Sequence, residues 1–478
     1  MNSLFPTAPA LAIACCALIL PLEPVVCAAA EEPPPKSAST SGPTAPATVV
    51  EGPSREVQRG VLQKMKSRKP HIRVPATRSM LDYPTAEAAR FLAQHGLGSG
   101  YDDVRHASFD TLVEMNGAPP VADYLLGCVT KDIKHAKPKE TTIAMLGVML
   151  AADDHDIERR SLELFDDIAA KAEAGVLLVL TLVDELGAQA SVSGAISASS
   201  STSVATLAKI AKRPAFNRSF AVRRAVVQAL ARSSLPAAID ALVQMLQTAT
   251  GEVRGDIVRR LTFVTGQKLG LDPPAWAKWW QARQGKPPQE GGKTFSLTDT
   301  LSSKVNYYGL PVYASRMVFV IDTSGSMAGV RIAAAKGQLA MAIAALPDDA
   351  LFSVLAFDIF VSPWSDQLLP ATLENKTAAI AWVMSRGLGP QTASFNALQA
   401  AFAFDAEAIY FLTDGEPAGG LIDNPALIVE TISQLNRTRR MTINTIGIGV
   451  GAAGPFNPFD LFLASLALRN YGEYRRVD

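Results

Sequence analysis

Strands and helices alternate in the last third of the chain, and this alternation constrains the fold more than any other feature of the sequence. Continuous apolar runs, typical of parallel strands buried on both faces, are separated by amphipathic segments with helical spacing. The runs are Met317 to Ile321, Phe352 to Phe357, Ile409 to Leu412 and Ile443 to Ile448, and the helical segments are Ile332 to Leu346, Leu373 to Met384, Phe395 to Phe404 and Ala426 to Leu435. The pattern predicts an α/β fold with a doubly wound, mostly parallel sheet.

Carboxylates and hydroxyls directly follow two of these predicted strands. The first run leads into Asp322, Ser324 and Ser326, and the third leads into Asp414. In doubly wound sheets, functional side chains lie just beyond the carboxyl ends of the strands. Oxygen atoms of this kind are the ligands of hard cations, and none of the five histidines lies beyond His155. The sequence therefore favours a cation such as Mg²⁺ over zinc.

The same residues carry a resemblance to a known family. Asp322, Ser324 and Ser326 match the D-x-S-x-S signature of the von Willebrand factor type A domain, which has a Rossmann-like fold. Thr392 lies in a loop that is similar to the threonine loop of that family. Asp414 resembles the aspartate that completes the family's metal-ion-dependent adhesion site. All five positions of that site therefore have a counterpart in this sequence.

The resemblance covers residues 305–478, which we predict to form one domain. It also includes the segments Val354 to Asp358, Thr445 to Gly449 and Gly472 to Tyr474. One departure lies just before Thr392, where Pro390 and Gln391 replace the family's usual pair of glycines. This departure bears on the geometry of the loop and on direct contact between Thr392 and a cation.

The resemblance implies adhesion through a shared cation. In the family's pattern Ser324, Ser326 and Thr392 would contact the cation directly, whereas Asp322 and Asp414 would hold it through water. The cation would be Mg²⁺ or another hard divalent ion such as Mn²⁺ or Ca²⁺. Its open coordination position would accept an Asp or Glu carboxylate of a partner protein.

Motifs that would indicate an enzyme lack their structural context. Gly292-Lys293-Thr294 follows a proline-rich stretch rather than a strand, and Pro287 stands where a phosphate-binding loop needs its first glycine. Gly449 to Gly454 fits G-x-G-x-x-G, but Pro455 and Pro458 obstruct the helix that a dinucleotide site requires. No G-x-S-x-G or H-E-x-x-H motif occurs in the sequence. We therefore predict a binding protein and not an enzyme.

Residues 56–285 show helical spacing instead of strand runs. Apolar residues recur with this spacing at Val104, Ala107, Phe109 and Leu112, and again at Val222, Ala225, Val226, Ala229 and Leu230. Prolines mark the start of a second helix after each of these segments. The paired helices resemble HEAT-type repeats, which implies an all-α solenoid with a second surface for protein binding. Residues 286–304, rich in Pro and Gly at their start, are predicted to be a linker.

Three smaller features of the helical region have a structural interpretation. Trp276, Trp279 and Trp280 share one helical face and are predicted to pack over the last repeat. The stretch from Ala188 to Ser203, rich in Ser, Ala and Gly, is interpreted as a flexible excursion. Asp153 to Asp156 is interpreted as the turn before a helix rather than as a metal site.

The N-terminal segment predicts export. Ala10 to Leu20 form an uncharged apolar core, and Ala28 to Ala30 supply small residues for cleavage, so residues 1–30 are interpreted as a signal peptide. The apolar core is shorter than the roughly 20 residues that a membrane span needs. Residues 31–55, rich in Pro, Ser and Thr, are predicted to be a disordered tether. We expect a periplasmic, cell-surface or secreted protein without a transmembrane helix in the mature chain.

The charge balance narrows the class of partner. The chain has 45 Lys and Arg against 45 Asp and Glu, and this zero formal charge argues against nucleic acid as the partner.

Two hypotheses remain from different classes. In the first, the cation captures a carboxylate of a partner protein. In the second, the chain is a structural scaffold whose solenoid binds the partner while the cation only stabilises the C-terminal domain. A hydrolase acting through residues outside the cation site is a third possibility.

Overall fold

A computed structural model describes the chain at residues 51–134, 140–151, 155–170, 173–191, 198–283, 305–449 and 457–477. The predicted signal peptide (1–30), nearly all of the predicted tether (31–55) and the predicted linker (286–304) lie outside these residues. So do Gly292-Lys293-Thr294 and most of the Gly449 to Gly454 motif. Of the helices within the described ranges, none combines the length and apolar character that a membrane span requires.

The described residues between 51 and 283 are helical. The helices are α1 (Arg55–Met65), α2 (Pro70–Arg78), α3 (Ala86–Phe91), α4 (Asp102–Met115), α5 (Pro119–Lys134), α6 (Glu140–Leu150), α7 (His155–Ala169), α8 (Glu173–Ala190), α9 (Ala198–Ile210), α10 (Pro214–Arg218), α11 (Phe220–Ala231), α12 (Pro236–Leu246), α13 (Gly251–Thr265) and α14 (Pro273–Ala282). Side chains of Ser54, Thr85, Ser219 and Asp272 accept hydrogen bonds from the first turns of α1, α3, α11 and α14, which satisfies otherwise unpaired amides.

The predicted apolar faces are confirmed as the core of this helical region. The residues named from the sequence in α4 and α11 are all buried. Helix α8 packs against α11 and α9 packs against α12, so equivalent members of successive pairs contact each other. This stacking is typical of a solenoid, because each pair covers the apolar face of the next. The assignment to HEAT-type repeats stays a prediction.

The tryptophans of α14 pack as expected over the end of the helical region. Trp276 and Trp280 are buried in its core, and Trp279 is half-buried against the same core. The Trp276 indole donates to the Gly270 carbonyl oxygen at 2.9 Å, and the Trp280 indole donates to Asp240 of α12 at 3.1 Å. The two buried rings thus find partners for their only polar atoms.

Two sequence interpretations need adjustment in this region. The flexible excursion predicted from Ala188 to Ser203 is wrong at both ends, because α8 continues to Ala190 and α9 begins at Ala198. Small residues there suit close helix packing: Ser203 is buried and donates to Gln189 of α8 at 2.9 Å. In the acidic segment, α7 begins at His155, whereas Asp153 and Asp154 lie outside the described residues.

The described residues from 305 onwards form the predicted α/β region. Its strands are β1 (Asn306–Tyr307), β2 (Leu310–Pro311), β3 (Arg316–Asp322), β4 (Leu351–Phe357), β5 (Val361–Pro363), β6 (Leu369–Pro370), β7 (Ala408–Thr413), β8 (Thr442–Ile448) and β9 (Tyr474–Val477). Its helices are α15 (Val330–Ala345), α16 (Leu373–Ser385), α17 (Ser394–Ala401), α18 (Pro425–Asn436) and α19 (Pro458–Arg469). Each of the four strands and four helices predicted from the sequence is present.

The main sheet is mostly parallel and doubly wound. Its strand order is β5-β4-β3-β7-β8-β9, and the short strand β6 also pairs with β4. Strands β3, β4, β7, β8 and β9 are parallel, whereas β5 and β6 are antiparallel to β4. From β3 the chain continues to β4 on one side of that strand, and it later returns to β7 on the other side of β3. The strand order therefore reverses between β3 and β7, where ligands bind in such sheets.

Alternate residues of the central strands face two different cores. Phe319 and Ile321 of β3 pack with α15 and α16, whereas Val318 and Val320 pack with α17, α18 and α19. This alternation explains the continuous apolar runs, because both faces of each strand are covered. Helix α19 and the edge strands β5, β6 and β9 are elements that the sequence interpretation did not include.

A buried polar network joins the helical region to the amino ends of the strands. Arg224 of α11 is 1% exposed and forms an ion pair with Asp256 of α13 at 2.8 Å. Its Nη1 also donates to the Arg440 carbonyl oxygen at 2.8 Å and to Thr442 Oγ1, at the start of β8, at 2.7 Å. The described residues from 51 onwards thus belong to one compact unit.

Candidate metal centre

Asp322 ends strand β3 and is fully buried. Its Oδ1 accepts a hydrogen bond from the Ser324 amide at 2.7 Å, and its Oδ2 accepts one from Thr413 Oγ1 of β7 at 2.5 Å. Burial raises the pKa of the Asp322 carboxyl to about 6, although both hydrogen bonds act in the opposite direction. The carboxylate is therefore fixed between the two strands where the order of the sheet reverses.

The two serines of the motif continue from Asp322 towards the neighbouring strand. A single turn of 3₁₀ helix from Gly325 to Met327, anchored by the buried Met327 side chain, shapes this segment. Ser324 Oγ and Ser326 Oγ lie 3.0 Å apart. Ser326 Oγ also donates to Asp414 Oδ1 at 2.7 Å. A continuous row of oxygens thus links the residues that follow β3 with the carboxylate that follows β7.

Thr392 is buried beside this row. Its backbone amide and carbonyl exchange hydrogen bonds with Ala418 at 3.0 Å, in the segment after β7. A Cβ added to Gly415 would lie 3.6 Å from Ser326 Oγ and 3.9 Å from Thr392 Oγ1. The hydroxyls of Ser326 and Thr392 therefore face the same small space next to Gly415.

The departure from the family's loop sequence does not move Thr392 away from the site. Gly389 donates its amide to the Thr323 carbonyl oxygen at 2.8 Å and pairs in parallel with Ser324. A Cβ on Gly389 would lie 1.8 Å from Asp358 Oδ2, so only glycine allows this approach. Asp358 also accepts the Ala393 amide through its carbonyl oxygen at 2.8 Å. Gly389 and Asp358 thus hold the loop that carries Thr392.

Arg331, in the first turn of α15, is a further member of the site that the sequence interpretation missed. Its Nη1 forms an ion pair with Asp414 Oδ2 at 2.8 Å and donates to the Ser326 carbonyl oxygen at 3.1 Å. The signal available from the sequence was its position five residues after Ser326, at the start of the helix that follows the motif. Its partner, however, lies 83 residues away along the chain.

The structure therefore brings together all five residues predicted from the sequence. They provide two buried carboxylates and three hydroxyls, a set of hard oxygen donors that fits a small divalent cation such as Mg²⁺. Among the described residues, no group of three or more His, Cys, Asp and Glu side chains is arranged to hold a metal ion. Any cation here would consequently depend on the serine and threonine oxygens.

Comparison with known proteins agrees with this geometry. The sequence profile of the von Willebrand factor type A domain matches residues 315–474. The chain is 30% identical over 182 residues to inter-alpha-trypsin inhibitor heavy chain H3 of Bos taurus, which covers 35% of this chain and 20% of that relative. It is 28% identical over 166 residues to von Willebrand factor A domain-containing protein 3A of Homo sapiens, which covers 34% of this chain and 13% of that relative.

These matches concern one part of the chain and a small part of each relative. The chain spans about a fifth of the length of the inter-alpha-trypsin inhibitor heavy chains that it matches. Among solved structures, a von Willebrand factor type A protein from Catenulispora acidiphila shares 24% identity, with a TM-score of 0.31 over 35% of this chain and 39% of that chain. The profile match and the sheet agree, and residues 315–474 form a von Willebrand factor type A domain that follows a helical region.

Proposed function

We propose that the protein binds a partner protein by capturing an Asp or Glu carboxylate through a divalent cation, Mg²⁺ or a similar hard ion, at this site. The observation that carries the proposal is the row of oxygens from Ser324 through Ser326 to Asp414, with the hydroxyl of Thr392 beside it. The match to the von Willebrand factor type A domain supports a protein-interaction module.

Each residue of the site has a distinct part in this proposal. Ser324, Ser326 and Thr392 would supply neutral oxygens to the cation directly. Asp322 and Asp414 would act through water molecules, and their buried negative charges would offset most of the positive charge. A bound Mg²⁺ would supply an electrophilic coordination position that a carboxylate of the partner can fill.

Exposed apolar side chains on segments next to the site support a protein as the partner. Val330 follows the motif and is 85% exposed, Phe360 lies two residues after Asp358 and is 74% exposed, and Leu421 is 73% exposed. The Leu421 amide donates to Asn396 in the first turn of α17, close behind the Thr392 loop, at 2.8 Å. Apolar residues grouped around a polar site are typical of protein-binding surfaces.

We further propose that the protein is exported and acts by binding rather than by catalysis. Export rests on the N-terminal segment, which the structure does not describe. The non-enzymatic assignment rests on the type A domain and on the absence of recognisable catalytic motifs from the sequence.

Two measurements test the proposal. The first is capture of a partner from an envelope extract, with Mg²⁺ and then with a chelator. The second is titration of the purified protein with Mg²⁺. Ser326→Ala is the main variant because Ser326 is exposed, and Asp322→Ala removes a buried carboxylate. Asp348→Ala, at an exposed aspartate that pairs with Lys376, is the control. We expect Mg²⁺ binding and Mg²⁺-dependent capture for the wild type and the control, and their loss in both site variants.

The scaffold hypothesis predicts a different result in the same experiment. If the helical region binds the partner, chelation lowers the melting temperature while capture persists, and Ser326→Ala captures as much as the wild type does. Capture that depends on neither Mg²⁺ nor Ser326 would therefore exclude adhesion through the cation.

A further inference from the structure

Arg331 reaches from α15 across the carboxyl ends of β7 and β8. Besides its contacts with Asp414 and Ser326, its Nη2 donates to the Gly449 carbonyl oxygen, at the end of β8, at 3.3 Å. The guanidinium thus contacts three segments that surround the candidate metal centre.

The backbone of Gly449 leaves room for this side chain. Gly449 has a φ of 58°, in the left-handed region that favours glycine. A Cβ at this position would lie 2.7 Å from Arg331 Nε. The absence of a side chain on Gly449 therefore leaves the space that the Arg331 side chain occupies. The guanidinium is held against the protein, unlike that of an arginine surrounded by solvent.

Both oxygens of Asp414 are already engaged in this arrangement. Oδ1 accepts the Ser326 hydroxyl, and Oδ2 accepts Arg331. The Asp414 side chain is fully buried, whereas that of Arg331 is 42% exposed. Arg331 can therefore turn towards solvent at small cost, but Asp414 cannot, and a buried carboxylate needs a positive partner.

We propose that Arg331 competes with a divalent cation for the charge of Asp414 and thereby lowers the affinity of the site for that cation. This inference rests on the proposed function, because it concerns the regulation of the same site. If Arg331 stays, two positive groups beside one buried carboxylate repel each other. If Arg331 moves away, its ion pair with Asp414 is lost, so either outcome weakens binding of the cation. Without a cation, Arg331 provides the buried Asp414 carboxylate with a positive neighbour.

The test is calorimetric titration of the full chain with MgCl₂ and with MnCl₂. Arg331→Gln removes the charge and keeps a polar side chain, and Arg331→Lys keeps the charge without the planar guanidinium. Arg469→Gln is the matched control, because Arg469 forms an ion pair at 3.0 Å with Glu430, both half exposed and joining α19 to α18. We expect Arg331→Gln to bind Mg²⁺ about tenfold more tightly than the wild type, which corresponds to about 1.4 kcal/mol.

Arg331→Lys should lie between the wild type and Arg331→Gln, and Arg469→Gln should bind as the wild type does. A second readout is thermal unfolding. Without added cation Arg331→Gln should melt at a lower temperature than the wild type, and Mg²⁺ should raise its melting temperature by more than it raises that of the wild type.

The possible failures can be told apart. Wild-type binding of Mg²⁺ with equal or weaker binding by Arg331→Gln would overturn the role of Arg331 and leave the proposed function intact. If neither protein binds either metal, the metal centre itself is wrong. Binding by Arg331→Gln alone would support both the site and the competition.

Discussion

The carboxylate of Glu407, one residue before strand β7, accepts a hydrogen bond from the backbone amide of Glu252 in the first turn of α13 at 3.2 Å. The same oxygen accepts the Ser315 amide, before β3, at 3.0 Å. Thr250, at the N-cap of α13, makes no capping bond with its own side chain. A residue of the type A domain therefore caps a helix of the helical region, where the helix dipole favours negative charge.

Gly251 should be required for this contact. A Cβ on Gly251 would lie 2.0 Å from Glu407 Oε2, and its φ is 60°. We expect Gly251→Ala to lower the free energy of unfolding by about 2 kcal/mol or more, from backbone strain and the displaced carboxylate. Urea denaturation measures the change. Gly270→Ala is the control, since Gly270 has a φ of 61° but open space around it, and equal losses in both variants would exclude a role for the contact.

Arg224 should contribute far more to stability than its neighbour Arg223. Replacing the buried Arg224 by Met leaves Thr442 and the Arg440 carbonyl without a donor, so we expect a loss of about 3 kcal/mol in urea denaturation. Arg223→Met should cost less than about 1 kcal/mol, because the Arg223 guanidinium donates, within the described residues, to the carbonyl oxygens of Phe216 and Asn217 in α10. Similar losses for the two variants would contradict the assigned role of the network.

Glu252 accepts a hydrogen bond from Thr442 Oγ1 of this network at 3.2 Å and should give the stability of the protein a pH dependence. Burial raises the pKa of Glu252, although Arg224 and Arg259 act against this shift; Asp256 and Glu407 add to it. The folded state thus binds this proton more tightly than the unfolded state does. Wild-type stability, relative to that of Glu252→Gln, should fall as pH rises from the unfolded value of about 4.3 to the raised folded value, and then stay constant.

Urea denaturation of both proteins from pH 4.5 to pH 8 measures this difference. The exposed Glu430 provides the control, because its pKa is lowered by hydrogen bonds from Gln434 and Arg469. Its contribution, measured against Glu430→Gln, should rise only up to the unfolded value of about 4.3 and stay nearly constant between pH 4.5 and pH 8. A difference between wild type and Glu252→Gln that does not change with pH would show that Glu252 titrates alike in both states.

Thr392 provides the most specific test of the loop that departs from the family's sequence. If its hydroxyl contacts the cation, Thr392→Ala should weaken Mg²⁺ binding, whereas Thr392→Ser should keep it close to the wild-type value. At a Mg²⁺ concentration 100 times the Kd, the wild type should gain about 2.7 kcal/mol of stability, and Thr392→Ala should gain less. Equal stabilisation of all three proteins would exclude Thr392 as a ligand.

The sequence was sufficient to predict the central strands of the sheet and the residues that converge at the candidate site. Strands buried on both faces consist mainly of apolar residues, so their apolar runs and the residues that follow them, such as Asp322 and Asp414, could be recognised directly. The short edge strands β5 and β6 carry no such run, because they pair on one side only. They were consequently missed.

The polar contacts between distant segments were beyond prediction from one sequence. Arg224 lies among the charged positions of an amphipathic helix, where exposure to solvent is the usual outcome. It is buried because its guanidinium donates a hydrogen bond to the carbonyl oxygen of Arg440, 216 positions later. Arg331 was missed for the same reason, since Asp414 and Gly449 approach it only in the folded chain.

Strand β7 lies between the contact with the helical region and the candidate metal centre. Glu407 precedes the strand and holds the helical region, whereas Asp414 follows it and belongs to the candidate metal centre. Six residues of extended chain separate them, a length of about 20 Å. Loops at the carboxyl edge could therefore be exchanged, in evolution or in the laboratory, without disturbing the joint between the two parts of the protein. New binding specificity could be grafted onto this framework.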